Sequence, residues 1–111
     1  MTESGRTFLV ECYLPADISR ADVEAVGRRA AAAARQLRDE GHHVEYVRAL
    51  FVPGDDAVFH VFVAHAIDAA RLAAERAAIS FERVVESVVV EAEPSLPPAG
   101  LVALVKEVPD L

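Results

Sequence analysis

Two apolar, β-rich runs separated by a four-residue turn constrain the fold of this chain most strongly. Residues 44–52 and 57–64 are rich in Val, Phe and other residues that favour strands. Residues 53–56 between them read Pro-Gly-Asp-Asp, a composition typical of a tight turn. Because so short a connection joins antiparallel neighbours, the two runs are predicted to form a β-hairpin. Any fold for this chain has to contain that hairpin.

The segment before the hairpin predicts a strand followed by a helix. Residues 8–14 (FLVECYL) alternate between two faces, and Pro15 ends the run. Ser19 stands three residues before Asp22, a capping-box-like start for a helix. Apolar residues then follow at three- and four-residue spacing, and Gly41 marks the end of the helix.

The segment after the hairpin predicts a helix followed by a strand. Residues 67–78 (IDAARLAAERAA) consist of strong helix formers, and residues 83–91 (RVVESVVVE) predict a last strand. The order strand, helix, strand, strand, helix, strand is the split βαβ layout. The prediction is an α+β, ferredoxin-like sandwich over residues 6–92, with a four-stranded antiparallel sheet. The strands are expected in the spatial order fourth, first, third, second, with both helices on one face.

Such a sheet leaves its second face uncovered. Hydrophobic residues make up 53% of the chain, which is more apolar surface than one small core is expected to hide. A homodimer that packs through the two uncovered faces is therefore predicted. Residues 93–111 begin with a Pro-rich, linker-like stretch and continue as an apolar run. This extension is expected to dock on the domain or on a partner subunit.

Alternation along each strand assigns the side chains to the two faces. In the first strand Phe8, Val10 and Cys12 are assigned to the helices, which makes Cys12 a buried structural thiol. The hairpin side chains assigned to the helices are Val47, Ala49, Phe51, Phe59, Val61 and Val63. The side chains predicted on the uncovered face are Leu9, Glu11, Tyr13, Tyr46, Arg48, Leu50, His60, Phe62, Val84, Glu86 and Val88.

A few polar groups within this apolar set predict a ligand pocket, which a second copy would close into a cavity. The predicted ligand-binding residues are Glu11, Tyr13, Tyr46, Arg48, His60, Phe62 and Glu86. A carboxylate beside His60 would stabilise the imidazolium form of that ring. A salt bridge between Glu11 and Arg48 across a dimer interface, without any ligand, accounts for the same residues.

Composition argues against several classes of function. A net charge of −7 without a basic cluster argues against a nucleic-acid partner. No apolar run approaches the roughly 20 residues of a membrane span, and the start MTESGRTF lacks the layout of a signal peptide. No membrane partner and a cytoplasmic location are therefore expected. The charges on the helices, Arg28 and Arg29 among them, are assigned to solvated faces.

Four segments carry a family resemblance, and together they cover about four-fifths of the chain. They are FLVECYLP (8–15), VEYVRALFVPGDDAVFHVFVA (44–64), RLAAERAAIS (71–80) and FERVVESVVVE (81–91). They resemble a family of small bacterial proteins with a ferredoxin-like fold, first catalogued as a domain of unknown function and later named for a nickel-binding member. The resemblance implies a dimer packed through its sheets and binding of nickel or another divalent transition metal.

This chain departs from the family at two positions. Arg48 stands where a His is usual, and a fixed cation opposes a metal ion instead of ligating it. His60 stands where a smaller residue is usual, so the metal ligands predicted for this chain are a shifted set, Glu11 and His60.

Three functions remain open at this point. The first is a non-enzymatic dimer whose inter-sheet cavity holds a transition metal or a small anionic ligand, the latter favoured by Arg48. The second is a cofactor-free enzyme, such as a cyclase, isomerase or monooxygenase, with His60 as acid or base and Glu11 orienting it. The third is a structural or regulatory dimer without a ligand. Fold analogy does not separate them.

Overall fold

The computed structural model describes residues 5–92, and its elements follow the predicted order. The strands are β1 (Arg6–Tyr13), β2 (Val44–Val52), β3 (Ala57–Ala64) and β4 (Arg83–Ser87), and the helices are α1 (Arg20–Asp39) and α2 (Ile67–Arg76). A short 3-10 turn, Pro53–Asp55, connects the two strands of the predicted hairpin. The last strand ends at Ser87, four residues earlier than predicted. The expected docking of residues 93–111 lies outside the described residues.

The four strands form one antiparallel sheet in the order β2-β3-β1-β4. Both helices pack on the same face of that sheet, because their buried alanines belong to one apolar cluster with Phe8, Val10 and Phe62. The predicted ferredoxin-like α+β architecture and strand order are thus confirmed. We call the other face the open face. The side chains that the strand pairings place on it are those of Thr7, Leu9, Glu11, Tyr13, Glu45, Arg48, Leu50, Val52, Ala57, Phe59, Val61, Val63, Arg83, Val85 and Ser87.

The start and end of α1 follow from local sequence. The Ser19 side chain accepts a hydrogen bond from the backbone of Asp22, and the Asp22 carboxylate accepts one from the backbone of Ser19. This reciprocal pair satisfies amide groups that a helix start leaves unpaired. After the helix, Gly41 has a φ of 99°, a conformation that glycine adopts without strain. Among the described residues neither helix combines the length and apolar character that a membrane span requires.

Small residues set the distance between α1 and the sheet. Ala30, Ala33 and Ala34 are buried on the inner face of the helix. At Gly27, an added Cβ would lie 3.0 Å from the hydroxyl oxygen of Tyr46. Gly27 therefore allows the Tyr46 side chain of β2 to reach in beneath the helix, which matters for the site described next.

Candidate functional site

His60 and Phe62 lie on the helix-covered face and not, as predicted, on the uncovered one. His60 pairs directly with Val10, and Phe62 pairs with Phe8, and paired residues project to the same side of a sheet. Both Val10 and Phe8 are fully buried beneath the helices. The prediction was wrong because β3 (AVFHVFVA) is apolar at both alternate sets of positions. Its sequence alone therefore does not distinguish the two faces.

A bulge in β2 moves Tyr46 to the helix-covered face as well. The pairing with β3 shifts between Tyr46, which pairs with Phe62, and Arg48, which pairs with Val61. The extra residue is Val47, which is 41% exposed although it was predicted to face the helices. A bulge places two successive residues opposite one partner and so reverses the alternation on one side of it. Arg48 stays on the predicted side.

The face assignment of β4 is also reversed. Val84 pairs with Val10 and is buried in the core, and Glu86 pairs with Phe8. The Glu86 carboxylate accepts hydrogen bonds from the Arg6 guanidinium at 3.2 and 3.4 Å. Glu86 is therefore part of an exposed ion pair, and it does not converge with Glu11.

The predicted ligand-binding set thus divides between two faces. Glu11, Tyr13 and Arg48 lie on the open face, whereas Tyr46, His60 and Phe62 lie beneath the helices. Glu11 and His60 project from opposite sides of the sheet, so one protomer does not bring them together as metal ligands or as a catalytic pair. Nor do any three His, Cys, Asp or Glu side chains within residues 5–92 converge on one point suited to a metal ion.

A cavity of about 280 Å³ lies on the helix-covered face, and we call it the α1 cavity. It lies between the first half of α1, the end of β1, the start of β3 and the turn after α2. The apolar residues of its wall are Leu14, Ile18, Val23, Val26, Val58 and Ile79. Its polar or ionisable lining groups include Cys12, Asp22, Arg29 and His60. An apolar chamber with a few polar groups is the usual composition of a small-molecule site.

His60 is the buried polar group of this cavity, and 2% of its surface is exposed. Its Nδ1 atom lies 3.0 Å from the Tyr46 hydroxyl. Burial, with a further contribution from the charge of Arg29, lowers the pKa of His60 to about 4. The ring is therefore neutral at physiological pH, contrary to the imidazolium predicted beside Glu11. Within residues 5–92 no hydrogen bond engages Nε2, so that atom is left for a ligand or water.

Arg29 provides the positive charge at the cavity, a role that sequence reasoning missed. Its Nε donates a hydrogen bond to the backbone carbonyl of Ala77 at 3.0 Å. The sequence pattern assigned Arg29 to a solvated helix face, and the residue is exposed in the structure. Only the turn after α2, which is distant in sequence, reveals that the guanidinium is held against the cavity wall.

Cys12 is buried in the same wall, which confirms the prediction of a structural thiol. Burial, followed by the charges of Glu11 and Glu82, raises the pKa of its thiol to about 11. Cys12 therefore stays protonated and contributes an uncharged, weakly polar surface to the cavity.

The open face has its own polar centre, formed by Glu11 with Tyr13 and Arg83. Glu11 is only 7% exposed. Its carboxylate accepts a 2.5 Å hydrogen bond from Arg83 Nε and another of 2.5 Å from the Tyr13 hydroxyl. These two bonds, that of Arg83 first, hold the pKa of Glu11 below its usual value. Arg83 was missed at the sequence level, although it pairs directly with Glu11 across β1 and β4.

Apolar side chains surround this centre. Leu9, Phe59, Val61, Val63 and Val85 are half-buried, although neither α1 nor α2 covers them. Leu50 and Tyr13 are 49% and 58% exposed. Arg48 has no salt-bridge partner within residues 5–92. Within residues 5–92 the open face is thus largely apolar, with the hydrogen-bonded Glu11 carboxylate near its middle and Arg48 toward its edge.

Comparison with solved structures finds a similar fold in SCO4226 from Streptomyces coelicolor A3(2), known from a crystal structure analysis. The two structures align with a TM-score of 0.64 at 13% sequence identity, over 77% of this chain and 99% of that protein. At this identity the likeness extends to the fold alone. No protein-family model matches the chain, and no curated protein matches it.

Proposed function

We propose that this chain is a binding domain for a small, largely apolar ligand, with the α1 cavity as its site. The observation that carries the proposal is His60, a neutral imidazole that is 2% exposed and lines a cavity of about 280 Å³. One ring nitrogen is occupied by Tyr46 and the other has no partner among the described residues. A buried polar atom without a partner costs free energy, and a bound ligand removes that cost.

The size of the cavity restricts the ligand. Small-molecule sites commonly occupy about 300 to 1,000 Å³, and the α1 cavity lies at the lower limit of that range. Its apolar wall would accommodate a short chain or a single ring, and Nε2 of His60 would meet one polar atom of the ligand. The sequence predicted a transition metal or a small anionic ligand in an inter-sheet cavity, whereas this proposal puts a small, largely apolar ligand on the helix-covered side of the sheet.

The metal function implied by the family resemblance does not fit the residues of one protomer. Glu11 and His60 lie on opposite faces of the sheet, and Arg48 puts a cation on the same face as Glu11. A divalent ion needs several converging donors, and within residues 5–92 no group of three or more His, Cys, Asp or Glu side chains is placed to hold one.

Binding of 1-hexanol, followed by two-dimensional NMR of the 15N-labelled protein, tests the proposal. We expect saturable shifts centred on the backbone amides of Cys12, Val58 and His60. The variant Val26→Phe fills the cavity and should abolish these shifts, whereas the matched variant Val61→Phe on the open face should leave them unchanged. Shifts that persist in Val26→Phe, or that centre on the open face, would refute the α1 cavity as the site.

We further propose that the open face packs against a second copy of this chain. Arg48 supports the choice of partner, because it has no ion-pair partner within residues 5–92 and lies on β2, across β3 from Glu11 on β1. The Glu11 carboxylate accepts one bond at each oxygen, from Arg83 and Tyr13, and a carboxylate has acceptor sites for further donors. A two-fold axis along β3 would place Arg48 of each copy over the region around Glu11 of the other. Each contact in such a dimer is made twice, as in most homodimers.

Sedimentation equilibrium tests the dimer. The variant Arg48→Glu should shift the equilibrium toward monomer by at least tenfold in the dissociation constant, because it sets two carboxylates against each other in each half of the interface. The matched reversal Arg28→Glu, on an exposed position of α1, should leave the equilibrium unchanged. A wild-type protein that stays monomeric at millimolar concentration would exclude the dimer.

A further inference from the structure

We propose that the ligand of the α1 cavity carries a carboxylate, and that Arg29 binds this group at the mouth of the cavity. The inference rests on the proposed function and specifies its ligand class. It assigns to Arg29 the anion-binding role that the sequence suggested for Arg48, which lies on the other face of the sheet.

The hydrogen bond of Arg29 to the chain turn is the first argument. Its Nε donates to the Ala77 carbonyl at 3.0 Å, which restrains the guanidinium beside the cavity. Within residues 5–92 its two terminal nitrogens make no hydrogen bond and no ion pair with a carboxylate. A planar guanidinium with free N–H groups is suited to bidentate binding of a carboxylate.

The acidic residue in the same wall, Asp22, is already hydrogen-bonded within the protein. Asp22 lines the cavity, and its carboxylate accepts hydrogen bonds from both the backbone and the hydroxyl of Ser19, each at 3.0 Å. These two bonds, both to Oδ2, lower the pKa of Asp22 and hold that oxygen at the start of α1. Arg29 therefore has the freer charge of the two, and an anion is favoured over a cation.

The cavity changes from a charged, solvent-exposed end to a neutral, buried end. Arg29 is exposed at the surface, whereas His60 is buried and neutral. A carboxylate bound at Arg29 stays partly hydrated, so it avoids most of the cost of burying a charge. The apolar part of the ligand would extend inward between Val26 and Val58 toward the imidazole. A short aliphatic or single-ring carboxylic acid meets both conditions.

Three probes with the same six-carbon chain distinguish the head groups: hexanoate, 1-hexanol and hexylamine. Titrations followed by NMR at pH 7.5 should give the tightest binding for hexanoate, about tenfold tighter than for the alcohol. In Arg29→Gln this preference should disappear, so that hexanoate binds no tighter than 1-hexanol, and in Arg29→Lys part of the preference should return. The matched variant Arg28→Gln, on the neighbouring exposed position, should keep the full preference.

The outcomes separate the two proposals. If 1-hexanol binds in the cavity and hexanoate binds no better, or if hexylamine binds best, the carboxylate inference is overturned and the binding site stands. A hexanoate preference that survives in Arg29→Gln also overturns it. If none of the three probes binds in the cavity, the proposed function itself fails.

Discussion

The Tyr46 hydroxyl lies 3.0 Å from Nδ1 of His60, on the helix-covered face between two neighbouring strands. The contact depends on the bulge at Val47, which directs Tyr46 toward the helices, and on Gly27, which leaves room for the hydroxyl beneath α1. Burial raises the pKa of Tyr46 to about 12 and lowers that of His60 to about 4, so both partners are neutral near pH 7. His60 therefore faces the α1 cavity as a neutral ring, and Tyr46 holds its orientation from outside the cavity wall.

Removing the Tyr46 hydroxyl should destabilise the protein. We expect Tyr46→Phe to lower the free energy of unfolding by about 1 to 2 kcal/mol, because it leaves the buried Nδ1 of His60 without its partner. Urea unfolding at pH 7 measures the change. In a His60→Phe background the same substitution should cost much less, and equal costs in the two backgrounds would show that the hydrogen bond contributes nothing.

The order of the elements could be predicted from the sequence because each carries its own local signal. The Pro-Gly-Asp-Asp turn indicates the hairpin, and Ser19 with Asp22 indicates the start of α1. The buried thiol of Cys12 follows from the alternation in β1, where polar Glu11 marks the other face. These features depend on neighbours within a few residues, which a sequence displays directly.

The candidate site could not be predicted in the same way because it depends on register and on long-range contacts. In β3, Phe59 and Phe62 are both apolar but project to opposite faces, and only the pairing with β1 decides which is which. The bulge at Val47 has no glycine to announce it. Arg29 becomes a cavity residue only because Ala77, 48 residues further along the chain, accepts its hydrogen bond. Tertiary structure sets each of these three features.

Burial of the His60 ring predicts a loss of stability in mild acid. The pKa of the ring is about 4 in the folded protein and about 6.5 when unfolded. The unfolded state therefore binds the proton first, and stability falls as the pH decreases from about 6.5 to about 4. The full loss is on the order of 3 kcal/mol, since each pKa unit corresponds to about 1.4 kcal/mol. Urea midpoints across this range measure it.

The variant His60→Gln provides the control for this titration. It should be less stable at pH 7, yet its stability should change little between pH 6.5 and 4 apart from the contribution of carboxylates. The exposed variant His42→Gln should retain the wild-type slope. A slope in His60→Gln as steep as that of the wild type would assign the acid sensitivity to another group.

The lowered pKa of Glu11 predicts a second loss of stability, at a lower pH than the loss caused by His60. Because Arg83 and Tyr13 hold its pKa below the ordinary value of 4.5, its stabilising contribution is complete above that value and is lost as the pH falls through the lowered pKa. We expect Glu11→Gln to be destabilised at pH 7 and to approach the wild type only as the pH falls below 4.5 and through the lowered pKa. Urea unfolding at one fixed protein concentration measures this, since the stability of an assembling protein depends on concentration.

An exposed ion pair on the same sheet provides the comparison for Glu11. The Arg6–Glu86 pair has about half of each side chain exposed, 52% and 46%. Because solvent screens such pairs, Glu86→Gln should be much less destabilising at pH 7 than Glu11→Gln. Equal losses in the two variants would mean that the burial of Glu11 does not strengthen its bonds.

The substitution Gly27→Ala tests the close approach of α1 to Tyr46. Alanine in a helix interior is more favourable than glycine by about 1 kcal/mol, but its Cβ would lie 3.0 Å from the Tyr46 hydroxyl oxygen. The hydroxyl would have to move and would weaken its bond to His60. In the wild type we therefore expect little or no gain in stability.

In a Tyr46→Phe background the ring atoms closest to this Cβ are 3.6 and 3.7 Å away, so the gain of about 1 kcal/mol from Gly27→Ala should appear in full. Urea unfolding of the four proteins yields this coupling, and a similar gain in both backgrounds would show that Gly27 is not needed for the position of Tyr46.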